Sequence, residues 1–160
     1  MVVSELVRDR DMPWLYRSAD AFVLTSRGEG WGLPVAQAVA TAMPVISTRC
    51  GGLAEFVGAT DVLTVDSTMV AIPPKAAKSY DAAPDAKWCE PALADIVRHM
   101  RTVHRMPPAQ RAALGRRGRD ALVARFSISA VGQLTAALVA DAAAAVRDRW
   151  RGNGSQLLRP

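Results

Sequence analysis

The sequence predicts an α/β fold whose strands lie parallel in one sheet. Two apolar, β-branched segments, residues 21–26 and 44–48, flank a glycine-rich turn and an alanine-rich helical segment. This strand–turn–helix–strand order is typical of a right-handed βαβ unit. The carboxy-terminal half has helical composition with few strand-forming runs. We therefore expect a short parallel sheet followed by a helical region.

Prolines and glycines divide the first part of the chain into short elements. Pro13 and Pro34 each lie in the first turn of a predicted helix, where the missing N–H has no helical partner. The predicted helices cover residues 13–20, 33–42 and 53–58, and the predicted strands cover residues 21–26, 44–48 and 62–65. Residues 66–88 contain several prolines among mixed polar residues, which predicts an irregular, exposed loop.

The remaining sequence predicts helices over residues 91–106, 110–125 and 129–149. Together these elements form one expected domain over residues 1–150, and residues 151–160 form an expected flexible tail. A parallel sheet is normally buried on both faces, and so few strands would leave long unpaired edges. The chain therefore resembles the second half of an α/β domain, with the opening strands missing.

Bulk composition is that of an ordinary soluble globular protein, with 50% hydrophobic and 22% charged residues among 160. The amino terminus has no apolar run of signal-peptide length. Residues 128–146 are alanine-rich with few charges, and they predict a packed helix and not a membrane span. Cys50 and Cys89 belong to no paired motif, so we expect neither a disulfide nor a zinc site. A cytoplasmic location is the corresponding expectation.

The formal net charge is +5, and eight arginines lie between residues 98 and 125 against one acidic residue, Asp120. A nucleic-acid or anionic-membrane surface is one interpretation. The other is the solvated face of amphipathic helices. No aromatic side chains alternate with the arginines, as base stacking would require. The second interpretation is therefore favoured.

The turn between the first strand and its helix carries the functional signal. It holds Gly28, Gly30 and Gly32 around an acidic residue, Glu29. Glycines allow close backbone approach, a helix N-terminus favours anions, and a carboxylate accepts hydrogen bonds from hydroxyl groups. These are the parts of a nucleotide site in an α/β fold. The alternative is a purely structural tight turn, with Trp31 packed in the core.

The block from Ser26 to Pro34 resembles the donor-site signature of the retaining group-1 (family 4-like) glycosyltransferases, which have the two-domain GT-B fold. The resemblance continues through residues 43–46 and through Gly51 and Gly52 with Glu55 beyond, and more weakly through 88–91 and 125–127. It covers only the later part of that family's carboxy-terminal, donor-binding domain. The resemblance implies a partial Rossmann-like domain, the GT-B C-terminal half.

The resemblance also implies roles for individual residues. Glu29 corresponds to the first, catalytic glutamate of the family's motif. The donor-binding positions are Gly30, Trp31, Gly32, Leu33 and Gln37, and the candidate phosphate contacts are Gly51, Gly52 and Glu55. Gln37 stands where the family has a second glutamate that accepts hydrogen bonds from both ribose hydroxyls. An amide has one acceptor oxygen where a carboxylate has two, so weaker nucleotide binding is expected.

The implied function is transfer of a hexose from a nucleotide-sugar to an unknown acceptor with retention of configuration, needing no metal and no cofactor. The implied partners include an N-terminal acceptor domain missing from this chain, but no nucleic acid and no transmembrane segment. The alternative is a non-catalytic, truncated or degenerate transferase domain that serves as a nucleotide-binding or interaction module. Arg27 and Arg49 are expected to be surface residues and not diphosphate ligands, and His99 and His104 are expected to be structural or solvated.

Overall fold

A computed structural model describes residues 4–154, with side chains described for residues 4–150. The chain divides into two compact units, Met1–Leu122 and Val123–Pro160. This division falls inside the domain expected over residues 1–150. Residues 151–154 of the expected flexible tail continue the last helix, and residues 155–160 lie outside the described residues.

The larger sheet consists of three parallel strands in the order β1-β2-β3. The strands are β1 (Phe22–Leu24), β2 (Val45–Thr48) and β3 (Leu63–Val65). Phe22 is paired with Val45, and Ile46 with Leu63. Every residue of β2 is buried, as expected for the central strand of a parallel sheet. The predicted α/β fold class with parallel strands is confirmed.

Short helices connect these strands. A 3-10 turn at Asp9–Asp11 leads into α1 (Met12–Arg17), which precedes β1. Helix α2 (Leu33–Ala40) connects β1 to β2, and α3 (Leu53–Ala59) connects β2 to β3. Helices α2 and α3 lie within two residues of their predicted bounds, whereas α1 ends three residues before the predicted end at residue 20.

The core of the first unit lies around β2. Val35 and Val39 of α2 and Leu53 and Phe56 of α3 are at most 2% exposed. Ile46 clusters with Val65 of β3 and with Val103 from a later helix, α5 (Leu93–Arg105). Because successive side chains of a strand point to opposite faces, β2 can contribute to packing on both sides of the sheet.

Residues 67–91, named here the excursion, are folded. They form strand β4 (Ser67–Ala71), helix α4 (Pro74–Ser79) and strand β5 (Lys87–Pro91), and the two strands pair antiparallel. The prediction of an irregular loop over 66–88 is therefore wrong. Pro74 begins a helix and does not interrupt one. Strands β4 and β5 are partly exposed, so their sequences mix polar and apolar residues. They therefore lack the continuous apolar run that predicts a buried parallel strand.

Cys50 and Cys89 form a disulfide, with their Cα atoms 6.3 Å apart and a separation of 39 positions in the sequence. Cys50 follows β2, and Cys89 lies in β5, so the bond joins the excursion to the main sheet. The expectation of no disulfide is wrong. The two residues share no local motif and meet only because β5 returns to the end of β2.

Helix α6 (Pro108–Phe126) brings two glycines against the first unit's core. A Cβ added at Gly115 would overlap the carbonyl oxygen of Ala42, whose own backbone is left-handed with φ of 59°. A Cβ at Gly118 would lie an ordinary 3.5 Å from Val39 Cγ1. Gly115 therefore permits a close approach between α6 and the end of α2.

The second unit contains α7 (Ile128–Gly154). Its side chains from residue 131 to 150 are exposed, apart from the partly buried Ala144. The prediction of a packed helix is wrong, since alanine-rich composition also suits an exposed helix. Residues Pro108–Trp150 include a stretch long and apolar enough to cross a membrane, by length and composition only. The prediction that no segment spans a membrane stays untested.

We expect Gly115→Ala to lower the free energy of unfolding by about 1–3 kcal/mol, because the new methyl group meets fixed backbone and cannot be accommodated by a rotamer change. Gly118→Ala is the matched control, and it should be neutral or stabilising by up to about 1 kcal/mol because alanine favours helix. Urea denaturation followed by circular dichroism measures both. Equal midpoints for the two variants would contradict the close approach.

We expect loss of the disulfide to lower the free energy of unfolding by about 2–4 kcal/mol, since the bond restricts the unfolded chain. Thermal unfolding with and without dithiothreitol measures this for the native chain. A Cys50→Ser, Cys89→Ser double variant is the control and should not respond to the reductant. If the unsubstituted chain is denatured without reductant and a thiol reagent then labels two cysteines, the disulfide is absent.

Candidate functional site

The candidate site is the turn at residues 25–32, which leaves the carboxyl end of β1 and enters α2. Gly32 is the residue before the helix and has a left-handed backbone with φ of 82°. A Cβ at this position would lie 2.5 Å from Leu53 Cδ1. Both the backbone angle and the space therefore require glycine. In open α/β sheets, ligands bind outside the carboxyl ends of the strands, where this turn lies.

A second glycine turn packs directly against the first. A Cβ at Gly51, which has φ of 59°, would lie 2.7 Å from the carbonyl oxygen of Glu29. A Cβ at Gly52 would overlap the carbonyl oxygen of Gly30. Gly51 and Gly52 thus have a structural explanation, the backbone-to-backbone contact that holds the Glu29 turn. Glu55 lies in the first turn of α3, and its predicted phosphate contact stays a prediction.

Glu29 is half-buried in this turn. Its carboxylate makes no hydrogen bond or ion pair with the described part of the chain, residues 4–150. A fully buried carboxylate is almost always paired, whereas a partly buried one can remain hydrated. The Glu29 carboxylate on its glycine turn can therefore accept hydrogen bonds from water or from a hydroxyl-bearing ligand.

Trp31 and Leu33 are both exposed, although the Trp31 ring also contacts the core. The Trp31 ring packs on the fully buried Phe56 with ring centroids 5.2 Å apart, yet the residue is 40% exposed. Leu33 is 63% exposed at the first position of α2. The first backbone bond of the helix runs from the Ala36 N–H to the Gly32 carbonyl. Backbone N–H groups before Ala36 have no partner within α2, as at any helix start.

Gln37 lies on the exposed face of α2, where its side chain meets α1. The Tyr16 hydroxyl donates a hydrogen bond of 3.0 Å to Gln37 Oε1. Burial raises the pKa of Tyr16, so the phenol stays protonated and remains a donor. The one acceptor oxygen of Gln37 therefore already accepts one hydrogen bond, which leaves it a single lone pair.

Gln37 borders a cavity of about 370 Å³ between α1, α2 and α6. Its walls are formed by Asp9, Met12, Pro13, Tyr16, Arg17, Gln37, Ala40, Thr41 and Arg119. The wall does not include Glu29 or the glycines of the turn. The structure thus gathers Glu29, Gly30, Trp31 and Gly32 around one turn, and it gives Gln37 a separate surface.

Arg27 connects the candidate site to the excursion. Its guanidinium forms two hydrogen bonds with the Glu90 carboxylate, 2.6 and 2.7 Å long, and lies 4.9 Å from the Trp88 ring centre. These bonds raise the pKa of Arg27 and lower the pKa of Glu90. The pair stabilises the fold above the ordinary pKa of Glu90, and this contribution is lost as the pH falls through the lowered value. The ion pair was missed because Arg27 and Glu90 are 63 residues apart.

The two histidines do not contribute to this turn. His99 is buried, and its Nε2 lies 2.8 Å from the Thr64 carbonyl oxygen, so a protonated Nε2 donates to β3. This agrees with the expected structural role. His104 is exposed on α5. Across residues 4–150, no three or more His, Cys, Asp or Glu side chains come together as a metal site.

The part of the chain that contains this turn is similar to known proteins. Residues 2–80 match the family model described as glycosyl transferases group 1. An O-antigen chain mannosyltransferase B of Escherichia coli is 34% identical over 88 residues, which are 55% of this chain and 22% of that protein. A mannosylfructose-phosphate synthase of Agrobacterium fabrum is 46% identical over 50 residues, 31% of this chain and 11% of that protein.

The chain thus spans about a fifth or less of the length of these relatives. The matched region contains β1, the glycine turn, α2, β2 and the second glycine turn. Through this region, the chain is similar to the group 1 glycosyltransferases.

Proposed function

We propose that the chain is the donor-binding part of a retaining hexosyltransferase that uses a nucleotide-sugar. The unpartnered Glu29 carboxylate on a glycine turn, at the carboxyl end of β1, carries this proposal. Glu29 accepts hydrogen bonds from hydroxyl groups of the donor sugar. The start of α2 presents backbone N–H groups and the positive end of the helix dipole to the diphosphate.

This arrangement favours catalysis by orientation and charge stabilisation. The turn is held on both sides, by the Gly51–Gly52 backbone and by the Arg27–Glu90 pair, so its donors and acceptors are fixed before the ligand arrives. Preorganised groups of this kind stabilise charge that develops on a leaving diphosphate. We propose that the transfer retains configuration and needs no metal. We propose no cofactor either, since the nucleotide-sugar is counted as a substrate.

Mannose is the first donor sugar to test. One relative is named a mannosyltransferase and the other a mannosylfructose-phosphate synthase, so both names contain a mannosyl group. The same proposal includes an unidentified acceptor substrate and an amino-terminal domain that binds it.

A second candidate function is a non-catalytic module that binds nucleotide or another protein. The Tyr16–Gln37 hydrogen bond favours it, because the position that should receive two ribose hydroxyls has one amide oxygen with a single lone pair left to accept. A nucleotide bound through Glu29 and α2 alone would be held weakly. The two candidates differ in whether the donor sugar adds affinity and whether transfer follows.

A nucleic-acid function is disfavoured by the pairing of the arginines. Arg98 contacts Asp95 at 2.6 Å, Arg117 contacts Asp61 at 2.6 Å, and Arg111 contacts Asp20 at 3.3 Å. At least these arginines carry partly neutralised charge, as expected for solvated helix faces. The cytoplasmic location stays a prediction, and the disulfide opposes it because disulfides are rare in reducing compartments.

We expect Glu29→Gln to weaken binding of GDP-mannose by about tenfold, because charge-assisted hydrogen bonds are worth about 1.5–3 kcal/mol and neutral ones about 0.5–1.5. Binding of GDP alone should not change, since Glu29 is assigned to the sugar. Isothermal titration calorimetry measures both, with UDP-glucose in parallel to test the base and sugar. Glu5→Gln, an exposed glutamate outside the turn, is the control. Equal losses for GDP and GDP-mannose would contradict the assignment.

We expect Gln37→Glu to tighten GDP binding by about tenfold, because a carboxylate supplies further acceptor sites even while Tyr16 donates to it. Tyr16→Phe should produce a smaller gain, since it frees a neutral oxygen. Gln110→Glu makes the same charge change at an exposed position of α6, so it controls for the change in net charge. If Gln37→Glu and Gln110→Glu bind GDP alike, Gln37 does not contact the ribose.

A further inference from the structure

The two cysteines each adjoin one of the supports of the Glu29 turn. Cys50 directly precedes Gly51, the left-handed glycine that lies against the backbone of this turn. Cys89 directly precedes Glu90, whose carboxylate binds the arginine side chain of the turn. The disulfide therefore joins the two parts of the chain that hold the turn from opposite sides.

Both cysteines also reach the backbone of the turn itself. The Cys89 N–H donates a hydrogen bond of 3.0 Å to the Arg27 carbonyl oxygen, and Cys50 Sγ lies 3.6 Å from the same oxygen. Arg27 is two residues before Glu29, so the disulfide lies against the chain that carries the candidate carboxylate. Breaking the disulfide therefore frees groups that contact the turn.

The other contacts between the excursion and the turn are weaker than a covalent bond. The Arg27 and Glu90 side chains are partly exposed, and ion pairs between exposed groups contribute little to stability. The Arg27 guanidinium also lies 4.9 Å from the centre of the Trp88 ring, a contact that is weak where water is near. Without the disulfide, β5 can therefore separate from the turn more often.

We propose that the redox state of Cys50 and Cys89 controls the order of the Glu29 turn, and that donor affinity is higher in the disulfide form than in the dithiol form. This inference rests on the proposed function, which assigns the donor sugar to Glu29. The disulfide orders the turn before the donor arrives, so less free energy is lost on binding. In the dithiol form, ordering the turn becomes part of the binding step.

The bond forms by thiol–disulfide exchange with a small disulfide such as oxidised glutathione. The thiolate of one cysteine attacks a sulfur of the oxidant and releases one glutathione. The thiolate of the other cysteine then attacks the mixed disulfide, which releases the second glutathione and leaves the bond between Cys50 and Cys89. The two cysteines lose two protons and two electrons in total, and the oxidant gains them.

Burial makes the redox state persistent. Cys50 and Cys89 are only 8% and 6% exposed, so exchange with small thiols is slow in the folded chain. We therefore expect the state to be set while the chain folds. Disulfides form in oxidising compartments and are rare in the cytosol, so the compartment of folding determines which form is present.

The test compares three samples: the disulfide form, the dithiol form produced and kept in dithiothreitol, and a Cys50→Ser, Cys89→Ser double variant. Thiol labelling in denaturant confirms the redox state of each sample, and circular dichroism selects a temperature at which all three are folded. Hydrogen exchange of backbone amides then reports the order of the turn without any ligand. Isothermal titration calorimetry with GDP-mannose reports donor affinity.

We expect the amides of residues 27–32 to exchange about tenfold faster in the dithiol form and in the double variant. Amides of β3, at the opposite edge of the sheet from β1, should accelerate less. GDP-mannose should bind the dithiol form about threefold to tenfold more weakly, because ordering the turn then costs free energy. The double variant should bind GDP-mannose equally with and without dithiothreitol.

A Glu90→Gln variant tests the same inference without removing a cysteine. It breaks the ion pair with Arg27 and keeps the disulfide, so residues 27–32 should remain protected from exchange. GDP-mannose affinity should then fall by less than about threefold. A loss of protection as large as that expected for the dithiol form would show that the ion pair orders the turn, and it would overturn the inference.

Equal exchange of residues 27–32 in the disulfide and dithiol forms would overturn the inference. Equal acceleration of these residues and of β3 would also overturn it, because the bond would then act on the whole fold. Faster exchange with unchanged GDP-mannose affinity is a third contradicting result. If the turn exchanges faster but GDP-mannose binds neither form, the proposed donor site fails while the effect of the disulfide on the turn stands.

Discussion

The rest of the site depends on the contact between two glycine turns. The Glu29 and Gly30 carbonyls lie where a side chain at Gly51 or Gly52 would begin, so the two backbones touch without side chains between them. Because backbone atoms cannot change rotamer to relieve a clash, this contact sets the position of the Glu29 turn relative to β2. Leu53 beneath Gly32 extends the same support.

The other side of the turn is held by a different set of forces. Arg27 combines an ion pair, a ring contact and a backbone hydrogen bond, all directed to β5. The disulfide adds a covalent connection between β5 and the end of β2. Supported on both sides, the turn keeps a half-buried carboxylate without a partner among the described residues. That carboxylate can accept hydrogen bonds from water or from a ligand.

The surface around Gln37, where the proposed function puts the ribose, differs from the Glu29 turn. Tyr16 occupies one lone pair of the Gln37 amide oxygen, so this surface offers one acceptor site and two amide donors where a glutamate would offer only acceptors. A donor nucleotide would then derive its affinity from the diphosphate and the sugar more than from the ribose. That balance suits a transferase that releases its nucleotide product readily, and it suits a weakly binding module equally well. The transferase and the binding module differ in how much affinity the donor sugar adds to that of the nucleotide.

Local sequence determined the parallel strands, the short helices between them and the glycine turn with Glu29. Each of these depends on neighbours in the chain: β-branched runs, prolines in first helical turns, and glycine where the backbone is left-handed. Tertiary structure alone decided the folded excursion, the Cys50–Cys89 bond, the Arg27–Glu90 pair and the Tyr16–Gln37 bond. Their partners are far apart in sequence and share no motif, so the contacts exist only once β5 returns to β2 and α1 meets α2. The sequence likewise predicted that Gly51 and Gly52 form a turn. Their contact with the backbone of Glu29 and Gly30 depends on the tertiary structure, because the two turns are about twenty residues apart in the sequence.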